Sequence, residues 1–490
     1  MPTVPLPDDP NFEQLRKQAK DLRDLARAGV PGALDLVAQH HPERRHAVTL
    51  TGAQLVVARH YGFASWARLK RHIETIQHFR RAPDEVDASG GGVDEFLSLA
   101  CLRYGEDDRP DRWERAARLH ADHPGIAGSS VHAAAAVADV GALTELLGGN
   151  AGLARSEGGP YAWEPLLYLV YSRVPQSDPT AAARLLLDHG ADPNAGYLWH
   201  GLPSPFTALT GAFGSGEGDQ PEHAEAFALA ELLLQRGADA NDGQTLYNRQ
   251  FRAEDGHLRL LFEYGLGRGD GGPWRTRLGN AVDSPEQMLR TQLWWAIVHD
   301  MGDRVQLLAD NGVDMETTFS APGGRPTWAL TSNGRTPVEV AALAGCPELV
   351  ELFVARGAQR PASEGVDGLI AAVLADDAVT TARLSGHAEE AKAQRPALIV
   401  WAASRNKHDA VSALAALGFD VNAMGRSDVP MEQAWETALH VAASRGDVQL
   451  ARTLIDLGAD PNIEDARFHS TPLGWAQHFE QPEVIALLEE

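Results

Sequence analysis

The sequence predicts an all-α fold: a solenoid of about ten helix-turn-helix repeats, several with long loop insertions, preceded by a small helical module. Three observations lead there. A frame of two short apolar helices, a tight turn and a terminating glycine recurs with a period of about 33 residues. The 490 residues are 44 % hydrophobic, ordinary for a folded chain, yet no stretch approaches the roughly 18–20 apolar residues of a membrane span. Charge is also divided along the chain: the net −24 separates into +5 over residues 1–81 (13 Lys/Arg, 8 Asp/Glu) and −29 over the remainder.

The basic head reads as four helices. Asn11 with Gln14 three residues on has capping-box spacing, and Phe12, Leu15, Ala19, Leu22 and Ala26 follow at 3/4 intervals until Gly29. Pro31 opens a second helix through Leu34 and Val37. Thr51 with Gln54 repeats the capping logic ahead of Leu55, Ala58 and Tyr61, with Gly62 as C-cap. Ser65 starts a fourth helix carrying Trp66, Leu69 and Ile73 on one face. Asp84, Glu85 and Asp87, followed by Ser89-Gly90-Gly91-Gly92, have linker composition. The expected division is a module at 1–81, a linker at 82–92 and a solenoid at 93–490.

The repeat frame is clearest at Thr437-Ala438-Leu439-His440, with a turn at Gly446 and a polar exit at Gly458-Ala459-Asp460-Pro461-Asn462. Parts of it return at Thr336-Pro337-Val338-Glu339, Gly190-Ala191-Asp192-Pro193-Asn194, Gly237-Ala238-Asp239-Ala240-Asn241 and Gly418-Phe419-Asp420-Val421-Asn422. The apolar residue after the Thr-Pro position aligns as Val131, Leu166, Leu209, Leu246, Leu293, Val338, Leu369, Ile399, Leu439 and Leu473, at intervals of 30 to 47 residues. Inserted loops account for the uneven intervals.

This pattern resembles the ankyrin-repeat family over about 360 of the 490 residues. Thr437 and Thr471 suit helix N-caps, Pro337 and Pro472 the first helical position, and Gly190, Gly237, Gly357 and Gly458 left-handed C-caps. The head, with Gly62-Phe63-Ala64-Ser65-Trp66, is similar to the helical extension ahead of ankyrin arrays in many bacterial proteins. Ser470 onward reads as the capping unit. The resemblance implies that the repeats do no chemistry and bind through a concave groove and loop tips, and that His440 ties neighbouring repeats together.

Residues that the frame does not require are therefore the informative ones. Trp199, His200, Tyr247, Arg249, Arg252, Trp274, Arg275, Arg277, Trp294, Trp295 and His299 fall within about 100 positions. Aromatic side chains with arginine are what binding hot spots favour. The competing reading is that the tryptophans fill a widened core, with one of the adjacent Trp294 and Trp295 pointing inward, and the arginines solvate it.

Other chemistries are poorly supported. The run Gly265 to Gly272 lacks the preceding strand and the Lys-Ser/Thr of a phosphate loop, and reads as a hairpin loop. His40, His41 and His46, and His120, Asp122 and His123, lack zinc-site spacing. Cys101 and Cys346, in a chain whose first ten residues lack a secretory pattern, favour a reducing, cytoplasmic setting without disulfides. The pair of helices over 51–73, with Arg68, Lys70, Arg71, Arg80 and Arg81, has helix-turn-helix character, but the −29 remainder repels a duplex.

The sequence thus points to a non-catalytic scaffold for a protein partner with a basic or mixed surface, a monomer without cofactor or metal, with nucleic acid and membrane disfavoured. The alternative is a small-molecule pocket or enzyme in the irregular repeats at about 200–300, using Tyr247, Arg249, Asp255, His257, Arg275 or His299. DNA binding by the head is a weaker third. A cavity shared by Tyr247, Arg249, Trp274 and Arg275 would favour the pocket; an open spread would favour the scaffold.

Overall fold

The computed structural model describes residues 4, 6–7, 10–41, 49–88, 90–320, 332 and 334–490. The chain is mostly helical and forms two compact units, 1–289 and 290–490. His46, among the residues considered above, lies outside the described residues.

The first unit begins with four helices, Phe12–Arg27, Pro31–His40, Leu50–His60 and Trp66–Phe79. Asn11 caps the first by accepting from the Glu13 and Gln14 amides, and Ser65 caps the fourth through the Arg68 amide. The third departs from expectation. Thr49, not Thr51, is its cap, accepting from the Gly52 amide, so Thr51 lies inside the helix. Leu15, Ala19, Leu22, Val56, Leu69 and Ile73 form the shared core, and Phe12 closes it against Trp66 at 5.2 Å. The Asp84–Glu85 stretch is a 3-10 turn spanning Pro83–Glu85, held by the Arg103 guanidinium, which donates to the carbonyls of Pro83 and Val86.

Helix pairs follow: Val131–Ala136 with Val140–Gly149, Pro165–Tyr171 with Pro179–Asp188, Ala208–Phe213 with Ala226–Gln235, and Gly243–Arg249 with Gly256–Glu263. First helices pack on first helices and second on second. The approach is close enough to demand small residues: a Cβ on Gly211 would sit 2.4 Å from the Tyr171 ring. The glycine-rich run at 265–272 connects two helices, Gly256–Glu263 and Gly272–Leu278, and is not a hairpin between strands.

The fold is not wholly helical. Residues inserted after Asn194 form an antiparallel hairpin, Gly196–Trp199 with Pro205–Thr207, and Arg80–Arg81 adds a short parallel strand to it. The aromatic run Tyr197-Leu198-Trp199 suits a pleated, half-buried surface better than a helix.

In the second unit the pairs are Pro337–Ala344 with Pro347–Ala355, Gly365–Leu374 with Ala378–Leu384, Leu398–Ser404 with His408–Ala416, Ala438–Arg445 with Val448–Asp456, and Pro472–His478 with Pro482–Glu489. Thr336 and Glu339 make a reciprocal capping box, as do Thr437 and His440. Gly446 is left-handed, at φ +71°, and a Cβ there would lie 2.1 Å from Gln481 Oε1.

One device recurs in both units. The side chain of Asn194 accepts from the Asp239 amide and donates to the Gly237 carbonyl; Asn241 does the same with Gly267 and Arg268, and Asn422 with Asp460 and Gly458. The asparagine after three of the terminating glycines, Gly190, Gly237 and Gly418, thus splices one loop to the next. Gly190, Gly237, Gly357 and Gly458 all take positive φ, as left-handed helix exits require. Of the ten aligned apolar positions, all but Leu473 are buried.

Candidate functional site

The sequence-selected residues fall into separate places. Tyr247 and Arg249 lie on Gly243–Arg249 and Arg252 just past its end, facing the loop at 214–222. Arg249 donates to Glu222 Oε2 at 2.9 Å, Arg252 to Asp219 Oδ1 at 2.5 Å and Ser215 Oγ at 3.0 Å, and the Tyr247 hydroxyl to Glu217. Burial pulls the Arg249 guanidinium below its usual range, and the Glu222 carboxylate opposes that pull. Three acids of one loop thus engage the three candidates internally.

Trp199 and His200 end the hairpin strand. The Trp199 ring meets His200 edge-on at 4.3 Å. His200, at φ +50°, receives its place from a backbone bond to the Arg81 carbonyl and holds Nε2 2.8 Å from Asp84 Oδ1. This pair fastens the Pro83–Glu85 turn to the hairpin.

Trp274, Arg275 and Arg277 share the helix Gly272–Leu278. The Trp274 indole donates to the Asn194 carbonyl at 3.1 Å and meets the Phe79 ring edge-on at 4.8 Å. Arg277 lies over both rings, 4.8 Å from Trp274 and 5.3 Å from Phe79. These two line a cleft of about 140 Å³ together with Arg81, Arg155, Trp163, Glu164, Asp192 and Tyr197. Arg275 is half-buried against Gly271 and lines neither this cleft nor the smaller one beside it. Tyr247 and Arg249 line neither as well, so neither of these two clefts gathers the four residues.

His299 belongs to the second unit. It stacks on Trp295 at 3.8 Å with Nδ1 2.9 Å from the Trp295 carbonyl, and burial pushes its pKa down to about 4, so it is neutral at pH 7. Trp294 is the inward member of its pair and donates to Ser332 Oγ. His257 and the tie residue His440 are buried; His440 Nε2 donates to the Ser470 carbonyl at 3.0 Å. Among the described residues no group of His, Cys, Asp and Glu is arranged to hold a metal. Cys101 and Cys346 are buried free thiols whose pKa burial pushes up to about 12.

A second cluster, outside the residues singled out from the sequence, lies in the loops before two repeat helices of the second unit. Two guanidiniums lie over the Trp435 ring, Arg426 at 4.4 Å, itself paired with Asp428, and Arg467 at 4.8 Å. Arg467 also covers Phe468, which is 63 % exposed. Asp465 shapes the loop, accepting from the amides of Arg467, Phe468 and Ser470 and from the Trp475 indole. Burial raises its pKa, but these four bonds prevail and hold it below the usual carboxylate range. The Ala466 amide then donates to the Trp435 carbonyl at 2.8 Å, joining the two loops. A signal was present. Trp435 stands two residues before the cap Thr437, and Phe468 three before the cap Thr471, where the frame requires no large side chain.

Compared with known families, residues 369–465 and 399–490 match the family model for ankyrin repeats in three copies. No curated protein matches the chain. Ankyrin repeats are generally protein-binding modules. No helix among the described residues is long and apolar enough to cross a membrane.

Proposed function

We propose that the protein is a non-catalytic binding scaffold, a solenoid of ankyrin-type helix pairs over 93–490 that engages a protein partner through its groove and loop tips. The observation that carries this reading is the Arg426–Trp435–Arg467–Phe468 cluster on the loops of the ankyrin segment. Exposed aromatic area next to directed cationic donors is what interface anchors provide, and no repeat needs it for folding. Arg467, beside the Arg426–Asp428 ion pair, gives the patch mixed charge next to exposed aromatic area, which favours a partner of mixed surface.

The test is affinity capture with the full chain beside a Trp435→Ala/Phe468→Ala double variant, followed by direct titration of the captured protein in purified form. A partner held by wild type and weakened at least tenfold by the variant, with unchanged helicity, is the expected outcome. A captured set identical for both proteins refutes the reading.

A further inference from the structure

The cleft beside Trp274 and Arg277 holds charges that the fold does not use up. Arg81 is committed there: it donates to Glu157 Oε2 at 2.9 Å and to the carbonyls of His78, Arg80 and Ala162. Arg155 and Arg277 are not. Each approaches Asp192 Oδ2, at 3.7 and 3.8 Å, beyond hydrogen-bond reach, and neither guanidinium has a hydrogen bond among the described residues.

Opposite them stands Glu164, whose Oε2 is buried without a partner among the described residues. Burial pushes this carboxyl up to about 7; Arg155 and Arg277 oppose the shift, while Asp192 and Glu157 reinforce it. A half-protonated Glu164 leaves the two guanidiniums facing the single full charge of Asp192. The wall is aromatic, with Trp163 and Tyr197 stacked at 4.9 Å and 26° and each about 1 % exposed. Trp163 Nε1 and Tyr197 Oη are also buried without partners among the described residues. Such orphaned donors are exceptional in folded proteins.

We propose that this cleft binds a small aromatic carboxylate, its carboxylate taken by Arg155 and Arg277 and its ring lying beside the half-buried Phe79. Guanidinium forks match a planar carboxylate bidentately. The protonated Glu164 can donate to one of its oxygens. The space of about 140 Å³ is close to the roughly 150 Å³ that accepts a benzene ring, so the ligand carries one ring and little more. A dianionic phosphate would face Asp192 and Glu157 at a greater electrostatic cost. This site lies in the first unit and is independent of the loop cluster in the second, so either proposal can fail alone.

The experiment is calorimetric titration of the full chain at pH 7 with benzoate, beside benzyl alcohol, benzylamine and inorganic phosphate. Benzoate is expected to saturate at one per chain and to bind at least tenfold more tightly than each of the others. Arg277→Gln should weaken it at least tenfold, and Glu164→Gln, which keeps a neutral hydrogen-bonding group, should hold it within about threefold. If Arg277→Gln loses its helical circular dichroism, Arg155→Gln, at a more exposed position, carries the same tenfold expectation. Absence of saturation by benzoate, equal binding of benzyl alcohol, tighter binding of phosphate, or full affinity in a folded arginine variant overturns the proposal.

Discussion

Replacing Asp465 by asparagine should unlock the loop that presents Arg467 and Phe468. The carboxylate is 1 % exposed and uses both oxygens: Oδ1 takes the amides of Arg467 (2.8 Å) and Phe468 (2.6 Å), and Oδ2 the amide of Ser470 and the Trp475 indole, both at 3.0 Å. Asparagine retains one acceptor oxygen. Whichever way the amide turns, its NH2 group faces two donors, so two bonds to a charged acceptor vanish and two N–H groups lose their partner. A hydrogen bond to a charged group contributes about 1.5–3 kcal/mol, and the exposed loop amides can partly rehydrate. The low end is therefore appropriate, about 3 kcal/mol for the pair, which corresponds to about 100-fold in the local opening constant. Hydrogen exchange of the full chain, read by mass spectrometry over 463–476, should show that loss of protection while amides of Leu398–Ser404 remain near wild type. Partner affinity should fall with it. Protection over 463–476 within threefold of wild type would show that the carboxylate does not organise the loop and refute the reasoning.

Other expectations follow from equally specific contacts. His440→Ala removes the acceptor for the Thr437 amide and the donor to the Ser470 carbonyl, and should lower stability of the second unit by about 2–4 kcal/mol in urea unfolding. Arg112→Ala strips the guanidinium from Asp108, its partner at 2.5 Å, and from the Ser98 and Cys101 carbonyls; leaving that buried carboxylate without its countercharge, held only by the Arg103 and Tyr104 amides, should cost about 3 kcal/mol, partly recovered by adding Asp108→Asn. His223 is neutral in the fold because burial, assisted by the Arg173 charge, pushes its pKa down to about 3. Above the unfolded value of about 6.5 neither state carries the proton; as pH falls below it the unfolded chain takes one up first, so stability is lost. Between pH 7 and pH 5 this one histidine should remove about 2 kcal/mol, seen as a lower urea midpoint whose pH slope shrinks in His223→Gln.

The head helices were readable because caps and apolar spacing are local: Asn11 and Ser65 fall where their patterns place them. Thr51 failed for an equally local reason. Thr49 offers a hydroxyl two residues earlier, and the Gly52 amide lies within its reach. The candidate site was legible only as composition. Arg249 and Arg252 carry the chemistry expected of anchors, but their acids Glu222 and Asp219 lie 27 and 33 residues away, and no spacing rule links them. Likewise His200 meets Asp84 across 116 residues.

What the sequence by itself determined is the repeating unit: helix starts at Thr336, Thr437 and Thr471, left-handed exits at Gly190, Gly237, Gly357 and Gly458, and an asparagine after most exits. These follow from φ preferences and from hydrogen bonds within a few residues, which the chain specifies wherever it goes. Tertiary structure alone decided which arginines remain available. A guanidinium is committed or uncommitted according to the carboxylates that distant loops bring within about 3 Å, and that proximity is set by how helix pairs stack. Arg249 and Arg252 are consumed by the 214–222 loop, whereas Arg277 beside Trp274 and Arg467 beside Trp435 lie over aromatic rings with no side-chain hydrogen bond among the described residues.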